Sequence, residues 1–214
     1  MSQKFDQYSI VTSWTNGRKA LVHLLKSSDG DNVISKVYRP KFRWVMYREF
    51  LVASYVAKRL SIVPRVLAFH PSRRELVFSY VRGQRILEWV LQRFGERNVV
   101  LGDFQSFHGL ATHPVVTSAF RRFRQSQSQE ASRLKEAIRA SYGSLHKIGM
   151  LHGSTDPRNA IYDGNQVFII DFDHARPSLN PGKFDYPQLS WWYGLQFNTS
   201  VRERAAMVHV AEAH

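Results

Sequence analysis

The side chains best suited to chemistry lie in one run, residues 145–176. His152 to Asn159 form a polar stretch after a helical pattern that stops near Gly149. A strand pair then reads as a hairpin whose second arm is Val167 to Ile170. Asp163-Gly164 sits at the tip, a dipeptide favoured in type I′ turns. The second arm delivers Asp171 at its exit. Asn159 before one arm and Asp171 after the other are therefore expected to converge. An amide oxygen and a carboxylate on converging backbones suit a hard cation such as magnesium, which keeps waters and substrate phosphates as its remaining ligands.

This stretch resembles the catalytic core of the protein-kinase-like fold, in which His-x-Asp, four residues and Asn precede a hairpin and Asp-Phe-Gly. His152, Asn159 and Asp171-Phe172 fall on that pattern. Ser154 stands where the catalytic Asp would be, and Asp173 where the Gly of the triplet would be. The Asp171-Phe172-Asp173 triplet and the Pro157-Arg158-Asn159 run look more like small atypical kinases, of the lipopolysaccharide-kinase-like and RIO-like kinds. The resemblance implies an α+β, two-lobed protein-kinase-like fold. A five-stranded antiparallel small lobe would span 1–83 and a minimal, mainly helical large lobe 84–214, with magnesium and ATP between them.

The same resemblance distributes roles. Val33-Ile34-Ser35-Lys36-Val37-Tyr38-Arg39-Pro40 looks like the third strand of such folds, whose Lys grips the α- and β-phosphates. Glu49, thirteen residues on, would pair with Lys36. Gly17 is the one glycine in the turn that would cover the phosphates. Ser79, Tyr80 and Val81 open the segment that would offer backbone groups to adenine. Asn159 and Asp171 would hold magnesium. Asp185 would anchor the polar loop from beneath, and His152 would buttress it. A Ser154 hydroxyl cannot accept a proton at neutral pH as a carboxylate can, so Asp156, two residues along, is the candidate substitute base.

The elements that must position these groups read in order. Strands are expected over 8–12, 20–25 and 32–38, with Asn16-Gly17 and 27–31 as turns. A helix over 42–60 follows, then strands over 62–69 and 75–81. Helical spacing resumes at 86–94. Residues 95–128 suggest loops and short helices. Ala131, Leu134, Ala137, Ile138, Ala140, Ser141, Leu145 and Ile148 draw one apolar stripe along a helix over 129–148. A loop over 177–186, an aromatic-rich helix over 188–195 with Trp191 and Trp192 in the core, and a terminal helix over 201–213 complete the reading.

Composition narrows the function classes. The 214 residues include no Cys, which excludes disulfides, thiolate metal sites and Cys nucleophiles. There is no Gly-x-Ser-x-Gly run and no helical His spacing for a metal. The N-terminus lacks an apolar leader core, and no apolar run reaches the ~20 residues of a spanning helix, so a cytoplasmic protein is expected. The net charge of +13 suits phosphate-rich partners, although Arg and Lys are spread along the chain. Two readings follow from the resemblance. One is an atypical ATP-dependent phosphotransferase acting on a protein or sugar hydroxyl. The other is a pseudokinase that binds nucleotide and serves as a regulatory or scaffold partner. Nucleic-acid binding has only the basicity behind it.

Overall fold

The computed structural model describes residues 8–14, 17–95 and 107–197. It is an α+β chain with a five-stranded antiparallel sheet and six α-helices among the described residues. The chain divides into two compact units, 1–82 and 83–214. Asn16 and the expected terminal helix over 201–213 lie outside the described residues. Among those described, no helix is long and apolar enough to cross a membrane.

The first unit is the sheet and one helix. Strands β1 (Tyr8–Trp14), β2 (Ala20–Ser27), β3 (Asn32–Tyr38), β4 (Val66–His70) and β5 (Glu75–Ser79) are ordered β1-β2-β3-β5-β4. Helix α1 (Arg43–Ala57) connects β3 to β4. The fourth strand starts four residues later than the sequence suggests: Pro64, which has no N–H to give a ladder, precedes it. Strand β3 lies between β2 and β5, with Lys36 opposite Val22 on one side and Leu76 on the other. Alternation along β3 sends Lys36 and Tyr38 to one face. Met46, Ala53 and Val56 of α1 and Leu76 of β5 are buried within this unit. Phe69 of β4 stacks on Phe50 of α1 at 4.3 Å between ring centroids.

The second unit is mainly helical. It comprises β6 (Gln84–Arg85), α2 (Ile86–Phe94), α3 (Phe107–Thr112), α4 (Pro114–Gln125), α5 (Gln129–Lys147), β7 (Met150–Leu151), β8 (Ala160–Tyr162), β9 (Val167–Ile169), β10 (Arg176–Pro177) and α6 (Gly182–Tyr193). The Ser128 hydroxyl caps α5 by accepting from the Ala131 N–H. The predicted stripe is buried at Ala131, Leu134, Ile138, Ser141 and Leu145. Gly149, at φ 72°, ends the helical stretch in the left-handed conformation.

Four local readings are corrected. Within the stretch expected to hold loops and short helices, residues 114–125 form one twelve-residue helix: Pro114 occupies its first turn, where a missing N–H is harmless, and Val116, Ala119, Phe120 and Phe123 form its buried face. Helix α6 begins at Gly182, inside the expected loop, and continues through Pro187. Trp192 is buried and meets Phe120 edge-on, whereas Trp191 is exposed. The hairpin turn is also longer than a two-residue type I′ connection. Tyr162 pairs with Val167, and the Asp163 carboxylate accepts from the N–H groups of Asn165 and Gln166. That side-chain turn lets Asp163 keep a negative φ.

Candidate functional site

In the first unit the site is a buried ion pair. Lys36 Nζ donates to both Glu49 carboxylate oxygens, at 2.7 and 3.0 Å. Glu49 is 2% exposed and the Lys36 side chain 14%. Strand alternation brings a third group to the pair, because Tyr38 lies two residues beyond Lys36. Its hydroxyl donates to Glu49 Oε2. Sequence reasoning missed Tyr38, yet the period-two spacing from Lys36 was the signal. The result is an ammonium held in place by a carboxylate that is itself fixed from a second direction.

The remaining predicted groups of this unit are simpler. Gly17 is exposed, and its carbonyl accepts from Arg39 Nη2 at 3.4 Å. Ser79 closes β5, where its N–H donates to the Arg65 carbonyl and its hydroxyl accepts from the Arg65 N–H. Its donor is therefore used within the unit. Tyr80 and Val81 leave the strand with no backbone partner among the described residues.

In the second unit the site is the loop between β7 and β8 and the turn that follows β9. Asp185, fully buried on α6, is its anchor. One oxygen of Asp185 accepts from the His152 N–H at 2.9 Å and from His146 Nε2 at 2.8 Å; the other accepts from the Gly153 N–H at 2.9 Å. Gly153 has φ 77°, and a Cβ there would lie 2.9 Å from the His174 carbonyl oxygen, so the loop needs glycine at that point. His152, also buried, donates from Nε2 to the Ile170 carbonyl at 3.0 Å and packs edge-on against Phe172. Thr155 donates to the Gln188 side chain from both its N–H and its hydroxyl.

Ser154 and Asn159 are brought together. The Asn159 amide nitrogen donates to the Ser154 hydroxyl at 3.0 Å and to its carbonyl at 3.2 Å. The Asn159 carbonyl accepts from the Ile170 N–H at 2.9 Å, which ties the loop to the residue before Asp171. Asp171 is half-buried and adopts the left-handed conformation at φ 63°, ψ 67°. Asp173 is buried beside His174.

Asp156 takes a different place from an open base. Its carboxylate is buried and accepts from the Arg158 N–H and Nε at 2.9 Å and from Nη2 at 2.6 Å. It caps the short helical turn Pro157–Asn159 and fixes the Arg158 side chain. Two buried tyrosines that feel the Asp156 charge, Tyr142 and Tyr193, have no hydrogen-bond partner for their hydroxyls among the described residues. Burial, with the negative charges of Asp185 and Asp156, pushes the Tyr142 hydroxyl well above the ordinary tyrosine range. Burial, then Tyr142 and Asp156, does the same to Tyr193.

The basic cluster on α4 is partly structural. Arg124 donates to the Trp191 carbonyl at 2.6 Å, and burial, followed by the neighbouring Arg121, lowers its pKa. Lys135 donates to the Arg124 and Ser126 carbonyls. Among the described residues no three His, Cys, Asp or Glu side chains are grouped as a metal centre. Asn159 and Asp171 carry the kind of oxygen atoms that magnesium takes from a protein. The Asn159 amide nitrogen is committed to Ser154, which leaves its oxygen as the available ligand atom. No protein-family model matches the chain, and no curated protein matches it either.

Proposed function

We propose that this chain is an atypical kinase-like phosphotransferase of small size, binding magnesium and ATP and passing the γ-phosphoryl group to a protein or sugar hydroxyl. The observation that carries the reading is the Lys36–Glu49 pair, held on a central strand and its adjoining helix with Tyr38 as a second clamp. An interior ammonium needs a reason to be kept, because burying both charges is expensive and an apolar pair would pack there at no electrostatic cost. Gripping the α- and β-phosphates is such a reason. The oxygens of Asn159 and Asp171 would hold the magnesium ion, which neutralises charge developing on the transferred group. Asp185 and His152 would keep the loop in register, and Tyr80 and Val81 would offer backbone groups to the adenine.

A second reading has a specific observation behind it. Ser154 supplies no carboxylate, and both oxygens of Asp156 are occupied by Arg158. A positioned base is worth about 10²–10⁴-fold in rate, so a nucleotide-binding pseudokinase is the alternative. Thermal unfolding of wild type, Lys36→Ala and Asp171→Ala with and without magnesium-ATP, run beside ATP turnover, separates them. A ligand at 100 times its Kd adds about 2.7 kcal/mol to the native state. A stabilisation lost in both variants, with turnover above background, supports the enzyme. The same stabilisation without turnover supports the pseudokinase, and its absence removes nucleotide from both readings.

A further inference from the structure

We propose that the outward face of α1 is a docking site for an amphipathic helix of a partner protein, one with acidic flanks. This inference stands independently of the nucleotide reading. Trp44, Leu51 and Tyr55 are 76%, 63% and 41% exposed. At about 100° per residue, Leu51 and Tyr55 fall about 20° to either side of Trp44, so the three form one straight row. The row is about 16 Å long at about 1.5 Å per residue. The buried residue Ala53 lies about 180° from Trp44. Helix α1 is thus apolar on two opposite faces, and only one is covered by its own unit. A helix apolar on all sides is ordinarily enclosed. Scattered single apolar residues on a surface need no explanation, but an aligned Trp-Leu-Tyr row does.

The flanks identify the occupant. Arg48 lies about 40° to one side of the row, and Lys58, the C-cap with helical dihedrals, about 40° to the other. Arg59 is fixed beside the row: its guanidinium lies 3.7 Å from the Tyr55 ring centroid and donates to the Tyr55 carbonyl. The single carboxylate of α1, Glu49, lies about 140° from Trp44 and is held by Lys36 and Tyr38. The exposed face is therefore apolar along its centre, and the charged groups beside it, Arg48, Lys58 and Arg59, are all cationic. The i, i+7, i+11 spacing is that of the seam between two packed helices, and aromatic anchors dominate such contacts. Acidic flanks on the partner complement the edges. A second copy of this chain would set the same cationic edges against one another.

The test uses the full chain and two designed peptides of about three heptads each, with Leu at the seam and either Glu or Lys at the flanking positions. Fluorescence anisotropy of labelled peptide reads binding. The acidic peptide is expected to bind, more weakly as salt rises, and the basic peptide is not. Trp44→Ala should weaken binding about tenfold or more. Arg48→Glu with Lys58→Glu should exchange the preference from the acidic to the basic peptide. All these positions are surface-exposed or half-exposed, and an unchanged Tm confirms that each variant is folded. Equal binding of both peptides, binding of neither, or wild-type affinity in Trp44→Ala overturns the proposal. Binding to phosphatidylserine vesicles in place of the acidic peptide overturns it in favour of a lipid surface. A dimer that Leu51→Glu dissociates overturns it in favour of a second copy.

Discussion

Replacing Glu49 alone should harm the first unit more than replacing the whole ion pair. Glu49 is 2% exposed and the Lys36 side chain 14%, so little water reaches either charge. Glu49→Leu removes the carboxylate that takes two hydrogen bonds from the Lys36 ammonium, and breaking a buried pair in this way costs about 3–5 kcal/mol. Tyr38 also loses Glu49 as its acceptor, in the single and the double variant alike, so that cost cancels between them. The double variant Lys36→Met with Glu49→Leu removes both charges and keeps similar volumes. Buried pairs replaced in this way range from neutral to about 1–4 kcal/mol more stable. The double variant should therefore exceed the Glu49→Leu single variant by at least about 3 kcal/mol. Amide hydrogen exchange along β3 measures this locally, which matters because two units need not unfold in one step. Stabilisation by magnesium-ATP supplies the second readout, and the double variant should lose it despite its sound fold. Such a variant separates what the pair does for the fold from what it does for function. A double variant as unstable as the single would refute the electrostatic argument. A double variant that kept its nucleotide stabilisation would refute the phosphate role of Lys36.

Further outcomes are expected in the second unit. Unfolded tyrosines ionise near pH ~10, whereas Tyr142 and Tyr193 stay neutral when folded. Their contribution is complete below that pH and falls above it by about 1.4 kcal/mol per pH unit for each group. Tyr142→Phe and Tyr193→Phe should each remove one such share of the alkaline slope in urea unfolding while costing little at neutral pH, since neither hydroxyl has a partner among the described residues; an unchanged slope counts against burial as the cause. Ser154→Asp restores a carboxylate beside Asn159 and should raise ATP-dependent transfer about 10²–10⁴-fold if a missing base limits the rate, as read by product formation at saturating nucleotide. Asp185→Ala leaves two backbone donors and His146 without their acceptor at about 1–3 kcal/mol each, so a loss of about 3 kcal/mol or more and faster exchange of the His152 and Gly153 amides are expected.

What the sequence made legible was set by local chemistry. The third strand carries β-branched residues around Lys36 and stops at Pro40, and its observed bounds are those read from the sequence. Helix α5 was legible because a long 3–4 apolar stripe ends in a glycine. Glu49 was nominated by the resemblance to kinase-like folds; a strand, a turn and half a helix make thirteen residues a workable reach, and the two side chains do meet. Helix α4 was hidden by Pro114 and by the Ser/Gln-rich stretch after it. Proline is as much a helix opener as a breaker, and only three residues, Ser126 to Ser128, separate α4 from α5. The place of Asp156 was hidden for a different reason. An Asp-Pro-Arg run gives no sign that the arginine turns back onto the carboxylate two residues earlier, a contact made by side-chain rotamers rather than by periodicity.

The loop of the second unit carries more support than a surface turn requires. Asp185 fixes two successive backbone N–H groups, His152 reaches from the loop to the Ile170 carbonyl, and the Asn159 carbonyl takes the Ile170 N–H. These contacts grip the chain on both sides of the β8–β9 hairpin and end immediately before Asp171. At that residue the backbone is left-handed, a conformation that L-residues adopt at a cost and that Asp tolerates better than most. Such strain persists only where the surroundings over-determine it, and here the over-determining contacts can be named. A chain selected only for stability would place glycine after β9, as it does at Gly149 and Gly153. Retaining a carboxylate there, beside an asparagine whose amide is already oriented by Ser154, favours a role for that carboxylate beyond holding the turn.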